Sequence, residues 1–282
     1  MVKGACLCGA VRYEIDGPLR SLTHCHCSMC RKHHGTAFST FAGARLTGFR
    51  WVSGEDRITR FESSANGERS SCSTCGSVTP ILLPALGMVL APAGNLVGDL
   101  GIRPDAHIFV GSKAPWYTIT DNLPRHEEYP PEWGMAGVSR PILPPAQDAV
   151  RGSCLCGDVA FEISSEPQRM MYCHCTRCRR GRSAAHASNL FYKMDGFRWT
   201  RGEAQVACYK LPEAKYFAVG FCRRCGGALP HLSPERGAAI VPAGALDDDP
   251  GMRAQAHIFV ANKASWFEIT DQMPQYPEML TK

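Results

Sequence analysis

The chain has 282 residues, 44% hydrophobic and 20% charged, so it is long enough for about two ordinary domains and too apolar for a disordered tail. Its net charge of +5 divides into 14 basic against 13 acidic residues over 1–150, and 17 against 13 over 151–282. That balance is too mild and dispersed for a nucleic-acid-binding surface, and no nucleic-acid partner is expected. The anomaly is 15 cysteines, seven in the first half and eight in the second.

The chain opens Met1-Val2-Lys3-Gly4-Ala5 and reaches Cys6 before an apolar leader can form, which predicts a cytoplasmic protein with reduced thiols. Closely spaced cysteines in that setting point to metal before disulfides. Residues 70–98 lack charge, but Pro80, Pro84 and Pro92 interrupt them, so a buried strand-and-turn region is expected and no membrane span.

Taken in order, 4–15 (GACLCGAVRYEI) brings a CxC pair and then Val11, Tyr13 and Ile15 at the period of two expected for a strand with one buried face. Cys25-His26-Cys27-Ser28-Met29-Cys30-Arg31 follows, with a short helical turn expected after Cys30. Phe49-Arg50-Trp51-Val52 reads as a strand, Cys72-Ser73-Thr74-Cys75-Gly76 as a CxxC knuckle, and Ile108-Phe109-Val110 as another strand.

A shift of 148 residues then repeats the pattern. Residues 152–163 (GSCLCGDVAFEI) match 4–15 at eight of twelve positions, and Cys173-His174-Cys175-Thr176-Arg177-Cys178-Arg179 matches the triple. After a two-residue insertion, Cys222-Arg223-Arg224-Cys225-Gly226 and 257–271 (HIFVANKASWFEITD) follow, the latter matching 107–121 at ten of fifteen positions. Two copies make a duplicated domain and not a solenoid. The expected division is a domain over 1–124, a linker over 125–150 rich in proline (Pro130, Pro131, Pro141, Pro144, Pro145), and a second domain over 151–282. Each copy reads as small and all-β, with a short helical turn after Cys178 like the one after Cys30.

Fourteen cysteines partition twice as four plus three. A tetrahedral zinc with sulfur ligands draws close pairs from two chain segments. Cys6, Cys8, Cys72 and Cys75 suit one closed site, and Cys154, Cys156, Cys222 and Cys225 its twin. Gly9, Gly76, Gly157 and Gly226 follow these ligands, where a knuckle wants positive φ. Cys25, Cys27 and Cys30, and likewise Cys173, Cys175 and Cys178, fill three of four tetrahedral positions, the stoichiometry of a catalytic zinc with an open place. The alternative is a structural site closed by a histidine, for which His24, His26 and His33 are near and only His26 has a counterpart, His174.

Three thiolates on Zn²⁺ sum to −1, a weak Lewis acid that suits a fourth soft ligand such as a small thiol. Held as thiolate, that thiol can attack an aldehyde carbonyl or leave from a thiohemiacetal. Arg31, Lys32 and His33, and Arg179, Arg180 and Arg182, follow the two triples. They either offset the anionic centre and hold substrate carboxylates or form a solvated face. His107, Lys113, Trp116 and Asp121, with His257, Lys263, Trp266 and Asp271, read as a core strand and its polar partners more readily than as a pocket wall. Cys208 has no pair, since Arg60 takes its place in the first copy, and is expected as a lone strand cysteine. No nucleotide-binding glycine motif, serine elbow or deaminase signature is present in the expected context.

On CLCG, CHCxxCR, CxxCG and HIFVxxKAxWxxITDxxP, each occurring twice, the chain resembles the glutathione-dependent formaldehyde-activating enzyme family, which includes centromere protein V. The resemblance implies an all-β zinc fold of antiparallel sheets related to methionine sulfoxide reductase B. It implies structural zinc at the two groups of four cysteines and catalytic zinc at the two triples, four ions per chain. It also implies a carbon–sulfur lyase that reversibly condenses glutathione with formaldehyde to S-hydroxymethylglutathione. Small thiol and aldehyde partners are then expected, with the tandem copies acting as an intramolecular pseudo-dimer. The rival class is a non-catalytic zinc-binding module with chromatin or protein partners.

Overall fold

A computed structural model describes residues 1–65, 67–137 and 148–279. Along Arg12–Ile15, Tyr13 and Ile15 are buried while Arg12 and Glu14 turn outward, and Ala160–Ile163 repeats this with Phe161 and Ile163 inside. The period of two read from the sequence is therefore the strand's own alternation.

In the first copy these residues join a four-stranded sheet in the order Leu96–Val97, Val2–Ala5, Arg12–Ile15, Phe49–Ser53. A five-stranded sheet runs Ala106–Ile108, Ser21–Cys25, Ser39–Arg45, Met88–Pro92, Ile81–Leu83. A hairpin of Ile58–Ser64 and Gly67–Cys72 completes the copy. The second copy has the same plan, with Arg169–Cys173 paired to Ala187–Lys193 and to Ala256–Ile258. The fold is all-β, and the strand pairing is antiparallel apart from Ala106–Ile108 beside Ser21–Cys25, Ala256–Ile258 beside Arg169–Cys173, and Gln275–Tyr276 beside Ala256–Ile258. The parallel strand in each copy brings His107 and His257 beside the CxC segments.

Two α-helices lie among the described residues, α1 over Ser28–His34 and α2 over Thr176–Arg182. They begin one residue after Cys27 and Cys175, before the expected position, so that Cys30 and Cys178 sit inside the first turn. Each is capped by the preceding cysteine, whose sulfur accepts the backbone N–H of Cys30 (3.3 Å) or Cys178 (3.4 Å). The uncharged stretch 70–98 is strand and turn, and no helix among the described residues is long and apolar enough to cross a membrane. Of the proline-rich segment, 125–137 lies against the first copy, with Phe109 N–H donating to Glu128 O; Pro141, Pro144 and Pro145 lie outside the described residues.

The two copies pack about an approximate twofold axis. Equivalent residues meet across it: Thr120 and Thr270 hydroxyls are 2.5 Å apart, and Phe38 and His186 rings lie 5.6 Å apart. Reciprocal pairs flank it, Tyr117 with Tyr172 and Phe267 with His24, both at 6.3 Å between ring centroids. That reciprocity is the mark of an isologous interface, here within one chain.

Each helix is seated on the other copy. A methyl group on Gly244 would lie 2.4 Å from Arg31 O and Thr36 N, and one on Gly94 would lie 2.1 Å from Ala184 N. Lys32, buried, places Nζ 2.7 Å from Asp247 and donates to Ser153 O and Oγ and to Ala245 O. Neither sequence reading of Lys32 holds, for it is not a solvated residue and it is spent on the seam. An enclosed pair with every donor satisfied specifies geometry, and deleting one partner of such a pair costs about 3–5 kcal/mol.

Gly244→Ala is therefore expected to cost about 1–3 kcal/mol through overpacking against backbone that cannot rotate away. In a chain of this size that lowers Tm by roughly 2–4 °C per kcal/mol. Differential scanning calorimetry checks it, and an unchanged Tm would mean that the helices do not dock this closely.

Candidate metal centres

The N-terminal CxC and the distant CxxC of each copy are brought together by the sheet and the hairpin. Cys6, Cys8, Cys72 and Cys75 place all four sulfurs within 4.8 Å of one another, and Cys154, Cys156, Cys222 and Cys225 do the same. The Cys6–Cys8 and Cys8–Cys72 sulfurs are 3.4 and 3.8 Å apart, and the Cys154–Cys156 and Cys156–Cys222 sulfurs 3.4 and 3.9 Å. A disulfide needs about 2.0 Å. Four thiolates at about 2.3 Å from a tetrahedral zinc would sit about 3.8 Å apart. The donor set thus fits a metal ion and not a pair of bridges.

Backbone donors complete the knuckles. Val11 and Val159 N–H point at Cys6 and Cys154 sulfurs (3.3 and 3.4 Å), which favours thiolate there. The four glycines after the CxC and CxxC pairs all take positive φ, between 68° and 80°, as the sequence predicts. Hydrogen bonds from Cys6 bring the thiols of Cys8, Cys72 and Cys75 down to about 7.

Cys25, Cys27 and Cys30 form a third cluster within the same 4.8 Å limit, and Cys173, Cys175 and Cys178 a fourth. No fourth His, Cys, Asp or Glu donor joins either triple among the described residues. Cys25 and Cys173 end strands; Cys27 and Cys175 cap the helices; Cys30 and Cys178 lie in the first turns. Hydrogen bonds from Cys25 and Cys27 hold the Cys30 thiol well below its usual range, and in the second copy Cys173 brings Cys175 down to about 3.

Histidine does not close the triples. His26 Nε2 lies 2.8 Å from His107 Nδ1, and His107 Nε2 lies 3.0 Å from both Asp121 oxygens. His174, His257 and Asp271 reproduce the chain at 2.8 and 3.0 Å. A carboxylate only accepts, so His107 Nε2 carries the proton and its Nδ1 accepts from His26 Nε2–H. Burial pushes His26 down to about 3, so the imidazole stays neutral. The chain of rings fixes the CxC segment from behind, together with the bond from His26 N–H to Ile108 O. Thus 107–121 is the core strand with satisfied polar partners, and Lys113 Nζ caps its own turn on Tyr117 O at 2.6 Å.

Two groups near the first triple escape a repeat-based reading. Buried Arg69 places Nη1 3.4 Å from Cys30 Sγ and Nε 3.1 Å from Ser63 Oγ. Its counterpart is Val219, so alignment of the copies gives it no weight. Burial and the Cys25 thiol beside it push the Tyr129 phenol up to about 12, and its ring packs 4.7 Å from Phe109. Tyr129 falls in the segment read as linker, and its counterpart is Met279, half exposed. Cys208 lies exposed on Val206–Lys210, 3.6 Å from His231 Nδ1, as a strand cysteine outside every cluster.

Residues 1–112 and 149–262 each match the profile described as glutathione-dependent formaldehyde-activating enzyme. A Halomonas elongata protein provisionally named glutathione-dependent formaldehyde-activating enzyme is 31% identical over 127 residues, covering 43% of this chain and 80% of its own. A Rhodobacter sphaeroides protein of known crystal structure aligns at 29% identity with 34% of this chain and 89% of its own, at a TM-score of 0.30. With both copies matched across their cysteine motifs, the chain belongs to the glutathione-dependent formaldehyde-activating enzyme family, as a tandem duplication of its domain.

Proposed function

We propose that this protein is a zinc-dependent carbon–sulfur lyase that adds a small thiol, glutathione or a relative, to an aldehyde such as formaldehyde, and catalyses the reverse cleavage. The observation that carries the reading is a convergent triple of thiols without a fourth protein donor among the described residues, in a chain of this family. On this reading the two groups of four cysteines hold structural zinc and Cys25, Cys27, Cys30, Cys173, Cys175 and Cys178 hold catalytic zinc. Residues 1–124 and 151–282 are the two domains, joined by 125–150 and acting as an intramolecular pseudo-dimer. A reducing cytoplasm is the compartment that keeps these fourteen thiols available.

Zinc held by three thiolates supplies a place where an added thiol ionises near neutral pH and keeps its nucleophilicity. The chain's own groups do the rest. The thiolate sulfur forms a bond to the carbonyl carbon, the C=O π pair moves to oxygen, and the oxygen takes a proton. No oxidant or reductant is needed. Arg69 puts a fixed positive charge beside Cys30 and can steady the developing alkoxide in the first copy. The His26–His107–Asp121 chain keeps the CxC sulfurs in place to hold the metal on which the added thiol is positioned.

Metal analysis of the full chain purified without chelator should find four zinc ions, two of them lost readily to mild chelation. Cys6→Ser should lower Tm or solubility, because metal binding at a closed site is part of folding and is worth about 10–16 kcal/mol. Cys27→Ser should lose one zinc and the first copy's share of the activity while keeping Tm close to the parent. Equal destabilisation by both substitutions would overturn the division into structural and catalytic sites.

Uncatalysed addition of thiols to formaldehyde is already appreciable, so product alone is an inadequate readout. The expected result is accelerated exchange between free formaldehyde and its glutathione adduct at equilibrium, seen as exchange broadening in magnetic-resonance spectra. Exchange no faster than with a variant lacking both triples, across glutathione and several other thiols, would sink the lyase reading and favour a non-catalytic binding module.

A further inference from the structure

We propose that each three-cysteine site is held in shape by the other copy's four-cysteine knuckle, so that the two copies are cross-wired. The helix that contains one cysteine of each triple and is capped by another is the connecting element. In the second copy, α2 begins at the residue after Cys175 and contains Cys178. Its Arg180 carbonyl accepts a hydrogen bond from Ser77 Oγ at 2.9 Å, and Ser77 belongs to the first copy. That same hydroxyl accepts the Leu7 N–H at 3.0 Å and lies 3.3 Å from Cys75 Sγ, within the first copy's knuckle. Just beyond α2, Ser183 Oγ donates to Val78 O at 3.2 Å.

The reverse connection uses different residues. From α1, between Cys30 and the helix end, Lys32 reaches Asp247 and both the carbonyl and hydroxyl of Ser153, the residue before Cys154. Ser153 Oγ in turn donates to Asp247 at 2.8 Å. His34 Nδ1 lies 2.9 Å from Arg182 O, joining the ends of the two helices directly. A shared apolar cluster closes the arrangement, with Cys6, Leu7, Cys72 and Cys75 packed against Leu211 and Val219 of the second copy. Lys32, Asp247 and Ser77 are therefore positioning residues for cysteines of a triple that none of them touches.

The inference rests on the reading that the triples bind metal, and its test separates the two. The zinc-loaded full chain is challenged with chelator, and accessibility of each cysteine is followed by differential alkylation and peptide mass spectrometry. Asp247→Ala should accelerate exposure of Cys25, Cys27 and Cys30 by about tenfold, as loss of an outer-shell partner does, leaving Cys173, Cys175 and Cys178 at the parental rate. Ser77→Ala should do the converse. Lys32→Met combined with Asp247→Ala should be no worse than either alone, since one contact is removed twice. Should Asp247→Ala unfold, Asp247→Asn removes only the charge and is read in the same way.

Effects confined to the triple of the substituted copy, or equal effects on both, would overturn the cross-wiring. If the parental triples take up no zinc, the proposed activity fails, and the alkylation rates of the metal-free chain still report helix docking. A crossed pattern there supports the inference, and an uncrossed one ends it.

Discussion

Sulfur convergence is the constraint on which the rest of this structure depends. Each copy is a small β domain whose first strand and hairpin would otherwise share only a modest core. Four sulfurs within 4.8 Å tie residue 6 to residue 75 in one copy and residue 154 to residue 225 in the other. Four thiols held this close, three of them buried, are unfavourable once ionised without a cation, because each thiolate repels the next. With a divalent ion the same charges become attraction. Folding, metal and thiol ionisation are then one equilibrium.

A second constraint follows from where the triples sit. Their sulfurs come from a strand end, a helix cap and a first helical turn, so the helix must be held before the site exists. A seven-residue helix is too short to be stable alone in water. Tertiary anchors have to hold it, and on α1 the residues that would otherwise read as a basic solvated face are those anchors. Lys32, His33 and His34 are buried, with Lys32 ion-paired across the seam. Behind the CxC segment, the two neutral imidazoles and a carboxylate serve the strand side in the same way.

What the sequence reveals and what it hides divide along the repeat. Both cysteine partitions, the strands through Tyr13 and Phe161 and the positive-φ glycines are legible because duplication filters chance from pattern. His26 lies between two converging cysteines and turns to His107, as side-chain alternation across a CxC requires. Arg69, Tyr129 and the Lys32–Asp247 pair are invisible to the same filter, since each occurs once. Lys32 also resembles any surface lysine until the fold places residue 247 opposite it, 215 positions along the chain. The helices begin about one turn before the place the sequence suggests, because a cysteine cap on a backbone N–H carries no propensity signal of its own.

The single occurrences have a common physical origin. In a symmetric dimer every residue at a twofold interface faces the same partner twice, so a substitution on one side is imposed on the other. Within one chain that coupling is removed. Asp247 can meet Lys32 although Val97 stands at the equivalent place, and Ser77 can bond Arg180 although Gly227 replaces it in the second copy. The seam therefore contains two different solutions to one problem, a buried ion pair on one side and a hydroxyl-to-carbonyl bond on the other. Freed from matching each other, the triples also diverge, one near Tyr129 with Arg69 on its sulfur and the other with Val219 in the place of Arg69 and with Cys175 partly exposed. Fusion preserves the shared geometry of the cysteine clusters while leaving the environment of each free to change alone.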